Sequence, residues 1–219
     1  MIDTPPISVS EKASTIVYTV GHSNHSLKTF IELLKKAGVN AIADVRSVPY
    51  SRYTSQFNRE NFSEALKAEG IAYSFLGEEL GARPESSACL RNGTADYNLI
   101  AATSIFKAGL ERVIVGAKKY QIALMCAEKE PLDCHRTILV GHALKRLGVV
   151  VRHIHANGYI EECGSAEKRL VKMTKQEMGD LFQSPEIGDD PVERAYTVRG
   201  REIAYTETHG AEEPVADVR

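Results

Sequence analysis

Leu124–Arg136 reads Leu-Met-Cys-Ala-Glu-Lys-Glu-Pro-Leu-Asp-Cys-His-Arg and sets two cysteines, a histidine, an arginine and three acids between a short apolar run and an apolar-periodic one. In a strand–loop–helix unit the helix start offers free backbone N–H groups and the positive end of the helix dipole. With Asp133 as N-cap, Cys134 falls in the first helical turn, where a thiol shifts toward thiolate. His135 and Arg136 add positive charge. Cys134 is thus a candidate nucleophile or metal ligand; the competing reading is a small residue covering a helix start. Cys126 ends an apolar run, where free cysteine is often a buried hydrophobe. Glu128 and Glu130 are candidate general acids or bases, set against the ordinary fate of loop acids, which is solvation.

The seven residues between Cys126 and Cys134 are not the thioredoxin-type Cys-x-x-Cys. They also exceed the usual spacing of structural zinc ligands. Neighbouring residues on a helix point about 100° apart, so Cys134 and His135 are awkward ligands for one ion. Zinc would take those two, Cys126 and a histidine from Gly21–His25. Metal is therefore not the leading expectation, and no cofactor follows from the sequence.

These residues need a scaffold. Thr15–Val20 is rich in β-branched residues and reads as a strand. It ends at Gly21-His-Ser-Asn-His25, and Ser26 then caps a helix with Leu27, Phe30, Ile31 and Leu34 on one stripe, closed by Gly38. The unit recurs: strand Ala41–Arg46, helix Asn58–Glu69 closed by Gly70, and strand Ile71–Phe75. Leu76–Ala95, with three glycines and Pro84, reads as a long surface loop. A helix through Leu110 and Val113 leads to strand Gln121–Met125. A helix with Val140, Ala143, Leu144 and Leu147 on one stripe ends at Gly148, and Val149–Ile154 is expected as the last strand. Beyond it come a charged helix, Glu167–Phe182, and a hairpin around Arg199-Gly-Arg201.

Alternating strands and helices define an α/β fold: a three-layer, Rossmann-like sandwich with a mainly parallel sheet of about five strands and a small helix/hairpin extension. The expected division is an α/β domain over 15–156, an extension over 157–206, and flexible termini at 1–14 and 207–219.

In parallel α/β sheets ligands bind beyond the carboxyl ends of the strands. Three strand ends carry polar groups: His22 and Ser23 with His25; Asp44 and Arg46, followed by Arg52; and Cys126, Glu128, Cys134, His135 and Arg136. Parallel strands bring these loops to one sheet edge. His22 is a candidate acid/base with Asp44 beside it. Arg46, Arg52 and Arg136 are candidate anion ligands, since guanidinium groups suit phosphate and carboxylate. An Asp44–Arg46 ion pair of structural purpose is the main competing reading. Ser23, Cys126, Glu128 and His135 complete the expected binding set.

Gly21-His-Ser23, Asp44-Val-Arg-Ser-Val-Pro49 with Ser51-Arg52, Gln56-Phe-Asn58, Leu76-Gly-Glu-Glu-Leu-Gly81 and Cys126–Arg136 resemble the DUF488 family over roughly Thr15 to His155. The resemblance implies the fold and a site at Gly21-His22, Asp44-Val45-Arg46 and Cys134-His135-Arg136. It implies no reaction.

Composition narrows the partners. A formal net charge of −2 over 219 residues gives no basic footprint for duplex nucleic acid. No apolar run approaches the ~20 residues of a membrane span, and the first residues lack the basic start and apolar run of a signal peptide. Four cysteines are too few for a disulfide scaffold, which fits a reduced cytoplasmic protein. The leading expectation is an enzyme of unassigned reaction class, of thiol- or histidine-assisted transferase or hydrolase type, acting on a small anionic, nucleotide-like ligand. The alternatives are a non-catalytic module sensing nucleotides or nucleic-acid ends, and a zinc-stabilised protein. A homodimer is compatible with each.

Overall fold

A computed structural model describes residues 15–175 and 190–207. In chain order the elements are β1 (Ile16–Gly21), α1 (Leu27–Lys36), β2 (Ala41–Asp44), α2 (Arg59–Ala68), β3 (Ala72–Phe75), α3 (Gly77–Leu80), β4 (Leu90–Arg91), β5 (Thr94–Ala95), α4 (Tyr97–Ala102), α5 (Ser104–Gly116), β6 (Ile122–Cys126), a π-helix (Arg136–Gly141) continuing into α6 (His142–Arg146), β7 (Val150–Ile154), β8 (Ile160–Glu162), α7 (Cys163–Met173) and α8 (Pro191–Ile203). The main sheet has the order β3-β2-β6-β1-β7-β8. Its first five strands are mutually parallel and β8 is antiparallel to β7.

The local signals act as expected where they are strong. Ser26 Oγ accepts from Thr29 N at 3.1 Å. Gly38, Gly70 and Gly148 hold the positive φ that ends a helix. The central strand β6 is buried throughout, as a strand covered on both faces must be. Ile122, Leu124 and Cys126 face one core with α5, α6 and the π-helix, while Ala123 and Met125 face the other with α1 and α2. Cys126 is thereby aimed at the same layer as Cys134.

Four expectations change. Leu76–Ala95 is not a surface loop: it holds α3 and the β4–β5 hairpin, and Leu76, Leu80, Cys89 and Ala95 join the core. These elements are too short to show a period. Val149–Ile154 is not the last strand, because β8 follows and pairs with it. The hairpin expected around Arg199-Gly-Arg201 is a 13-residue helix, α8, whose N-cap Asp190 accepts from Val192 N with Pro191 in the first turn. Leu147 is 59% exposed, because the π-helix widens the turn and slips the apolar stripe before it reaches that residue.

The charged helix starts at Cys163; Met178, Leu181 and Phe182 lie outside the described residues, as do 1–14 and 208–219. α7, α8 and the π-helix share a small third core built on Leu132, Ile138, Leu170 and Tyr196. No helix among the described residues is long and apolar enough to cross a membrane.

Candidate active site

Strand β6 lies between β1 and β2, with Gly21 opposite Cys126 and Asp44 opposite Met125. The three polar strand ends are therefore adjacent on the carboxyl edge of the sheet. Close approach of the loops requires Gly21: a Cβ there would sit 1.8 Å from the Glu128 carbonyl oxygen.

The first group is built on Asp44, which is fully buried. Its carboxylate accepts from Arg46 Nε at 2.9 Å, Arg46 Nη2 at 2.6 Å, the Arg46 backbone N at 3.2 Å and the Tyr73 hydroxyl at 2.8 Å. Arg46 Nη2 also donates to the Phe57 carbonyl, and Nη1 meets His22 Nε2 at 3.3 Å. His22 Nδ1 lies 2.9 Å from the Ser23 carbonyl. A carbonyl only accepts, so Nδ1 carries the proton and Nε2 offers its lone pair to Arg46. The His22 ring stacks on Phe57 at 4.4 Å. Burial, above all, and then the Arg46 charge bring its pKa down to about 4 against the Ser23 hydrogen bond. His22 is thus a neutral ring with both nitrogens engaged, and Arg46 stands between it and Asp44.

The second group follows β6. A 3₁₀ turn, Pro131–Asp133, is capped by Glu130, whose carboxylate accepts from Leu132 N. Cys134 comes next in extended conformation, with φ −136° and ψ 140°. Its carbonyl accepts from Thr137 N and Ile138 N, both at 3.0 Å. Asp133 is therefore not the cap of the following helix. It pairs with Arg199 of α8, and Cys134 sits just ahead of the helix rather than inside its first turn. The 100° objection to Cys134 and His135 acting together falls away with this extended geometry.

Cys126 Sγ and Cys134 Sγ each lie 3.8 Å from His135 Nδ1, and the three atoms fall within 4.8 Å of one another. His135 Nε2 is 2.9 Å from the Val45 carbonyl, to which it donates. Burial opposes ionisation of Cys134, yet the Cys126 thiol as donor, Arg136 and His135 outweigh it and hold the Cys134 thiol well below its ordinary range. Burial likewise opposes a charge on His135, but the Cys134 thiolate outweighs it and raises the imidazole. The hydrogen bond to Cys134, with burial behind it, pushes Cys126 up. These shifts favour the thiolate at Cys134, the charged imidazole at His135 and the protonated thiol at Cys126. Glu128 Oε2 lies 2.8 Å from Cys134 Sγ, close enough to share one proton. Burial and then the Cys134 charge raise the Glu128 carboxyl, although its side chain is 46% exposed.

Arg136 is fully buried. Nη1 donates to the Glu128 carbonyl at 2.8 Å and Nη2 to the Lys129 carbonyl at 3.4 Å. Its nearest carboxylate, Glu128, is 4.0 Å away, and Nε has no partner among the described residues. Arg136 therefore clamps the loop and supplies positive potential, without an exposed face for an anion. Arg52 is exposed and has no ion pair among the described residues. Ser23 adopts φ +47° and donates its backbone N–H to the Ala127 carbonyl, turning its own carbonyl to His22.

Two contributors carry no signal in the chain itself. Tyr73 reaches Asp44 because β3 pairs with β2. Tyr97, at the start of α4, has its phenol pushed up by burial and then by the Cys134 charge. Gly77 was visible only as a motif letter; a Cβ there would meet the Arg46 carbonyl at 2.1 Å.

Fold and site together define a three-layer α/β protein with a thiol–imidazole–guanidinium cluster at the carboxyl edge of its parallel strands. The DUF488 profile, described as a domain of unknown function, matches residues 26–143, more than half of the chain. The chain belongs to this family. Searches of curated proteins and of solved structures find no match.

Proposed function

We propose that this protein is a thiol enzyme in which Cys134 is the nucleophile and the substrate is a small anionic molecule entering at the carboxyl edge of the sheet. The observation that carries the reading is the triangle of Cys126, Cys134 and His135, closed within 4.8 Å. A thiolate beside an imidazolium is an activated nucleophile. With the Glu128 proton shared, Cys134 counts −1 against +1 each for His135 and Arg136. The net positive potential favours an anionic substrate.

The sulfur lone pair attacks an electrophilic phosphoryl or acyl centre. A bond from sulfur to that centre forms, and the leaving group departs with the bonding pair and the Glu128 proton. Water then cleaves the thio-intermediate and restores the thiolate, its proton passing to Glu128. Glu128 suits this role because its side chain reaches solvent while touching Cys134. His22 enters as a neutral group fixing Arg46 rather than as the proton carrier. A reducing, cytoplasmic setting suits four free cysteines.

Alkylation by iodoacetamide, followed residue by residue by mass spectrometry across pH, tests the nucleophile. Cys134 is expected to react at pH values below the ordinary thiol range, whereas Cys163, pushed up to about 11 by burial, stays inert there. A Cys134 rate that rises only through the ordinary thiol pKa overturns the reading. In a screen of activated phosphate and acyl esters, Cys134→Ser is expected to lose turnover.

A second reading has its own observation. His135 turns Nδ1 to both sulfurs while Nε2 donates to the Val45 carbonyl, which is how metal-bound histidines are oriented. Three donors match an open zinc site more closely than a closed four-ligand one. Elemental analysis of the purified protein decides: stoichiometric zinc lost on replacing Cys126 or Cys134 supports this reading, and absent zinc removes it.

A further inference from the structure

A cleft of about 420 Å³ lies between α4, the β4–β5 hairpin, the π-helix with α6, and α8. Cys126, Cys134 and His135 do not line it. Its size falls within the 300–1,000 Å³ of small-molecule sites. An inorganic phosphate alone would leave most of it empty.

Charge and shape narrow the occupant. Three arginines, Arg91, Arg146 and Arg201, line the cleft against two acids, Asp96 and Glu193. Arg91 pairs with Asp96 at 2.5 Å, but Arg146 reaches Glu193 only at 3.9 Å. Arg201 has no ion pair among the described residues. One positive charge is thus uncompensated at the rim. The inner wall carries flat rings: His142 stacks on Tyr196 with centroids 3.9 Å apart and planes 9° apart. Tyr97 lines the cleft and packs against both the main core and the C-terminal one. Small residues, Ala101, Ala143 and Gly200, make the space; a Cβ at Gly200 would come within 3.2 Å of the Tyr97 ring. The π-helix that follows Cys134 supplies Ile138 and Leu139, and such widened turns are frequent at functional sites.

The geometry points to this cleft as a binding site for a nucleoside monophosphate, with the base against the rings and the phosphate at Arg201 and Arg146. That this ligand is also turned over rests on the thiol-enzyme reading; its binding does not. Tyr97 lines the cleft, and the Cys134 charge helps push its phenol up.

Isothermal titration of the full chain with AMP, GMP, CMP and UMP tests the site, with adenosine and inorganic phosphate as partial ligands. At least one monophosphate is expected to bind, with adenosine and phosphate each about tenfold weaker or worse. Arg201→Glu, at an exposed position, is expected to weaken binding by about tenfold. Ala143→Leu, which fills the cleft, is expected to abolish it. Cys134→Ser is expected to retain binding. The proposal is overturned if no monophosphate binds at millimolar concentration, if phosphate alone binds as tightly, or if Arg201→Glu binds normally. Loss of binding in Cys134→Ser would move the ligand to the thiol cluster and also overturn it. Iodoacetamide labelling of Cys134 stands apart from every one of these outcomes, so failure of the cleft and failure of the thiol reading are told apart.

Discussion

Asp44 and Cys134 stand at the same sheet edge, one a carboxylate and the other a thiol held well below its ordinary range, and their neighbours treat them in opposite ways. Asp44 is enclosed by Arg46 and Tyr73, which supply four hydrogen bonds to its carboxylate. Arg46 in turn meets Phe57 and His22. Every charge in that group closes on a partner, so little capacity is left for a ligand. The Cys134 group is buried too, but its charges are matched less evenly. Among the described residues Arg136 has an unpartnered Nε and no carboxylate nearer than 4.0 Å, and the Glu128 side chain reaches solvent. Location at strand ends therefore does not by itself mark chemistry; incomplete compensation does. The Asp44 group is the rigid frame, and the Cys134 group is the part whose charges are less evenly matched.

The largest expected effect lies in the closed group. Asp44→Asn leaves Arg46 buried without its counter-charge, and removing one partner of a buried pair costs about 3–5 kcal/mol. Urea denaturation measures it. A loss below about 1 kcal/mol would mean that the pair is not the frame.

The next effect is a pH dependence. His22 has an unfolded value of 6.5 and a folded value of about 4. Above pH 6.5 neither state is protonated and stability is full. As pH falls toward 4 the unfolded chain gains a proton that the folded ring refuses, so stability drops by about 3 kcal/mol. His153 is held down to about 4 as well, by burial and then by Arg136, and adds a similar slope. Denaturation midpoints of His22→Gln between pH 6.5 and 4 are expected to fall about half as steeply as in the parent. An unchanged slope would show that His22 is charged in the fold, and the contrast between the groups would fail.

How much of this was visible in the chain depends on the length of each signal. The convergence of Gly21, Asp44 and Cys126 followed from parallel apolar strands, because six or so residues of that kind suffice to fix a strand. Strand order was not visible, and with it went the Tyr73–Asp44 bond and the proximity of Tyr97 to the thiols. The sequence hides the extended conformation of Cys134 because Asp133 looks like an N-cap. The earlier pair Glu130-Pro131 starts a 3₁₀ turn of its own and displaces the helix start. The same cap at Asp190-Pro191 starts α8, but Arg199-Gly-Arg201 reads as a turn and obscures it. Gly200 lies inside a helix because Tyr97 packs there, a tertiary reason that no local pattern carries.

The Cys134 group yields a smaller, spectroscopic effect. Cys126 lowers the Cys134 pKa as a hydrogen-bond donor. Cys126→Ala is therefore expected to move the Cys134 thiolate absorbance transition upward in pH, toward an ordinary thiol, while the protein stays folded. A transition that does not move would reduce Cys126 to a packing residue and leave Arg136 and His135 to hold the thiolate.

The smallest effect separates the two groups most cleanly. Tyr73→Phe removes one of four hydrogen bonds to Asp44 and leaves the bonds from Arg46 in place. A net hydrogen bond contributes about 1 kcal/mol, and the half-buried hydroxyl keeps the loss at or below that. If the groups are independent, the Cys134 transition in Tyr73→Phe coincides with that of the parent even as the urea midpoint falls. A shift in both would show that the frame transmits charge to the thiolate, through Arg46 and the Val45 carbonyl that holds His135. The closed group would then be part of the reactive centre rather than its support.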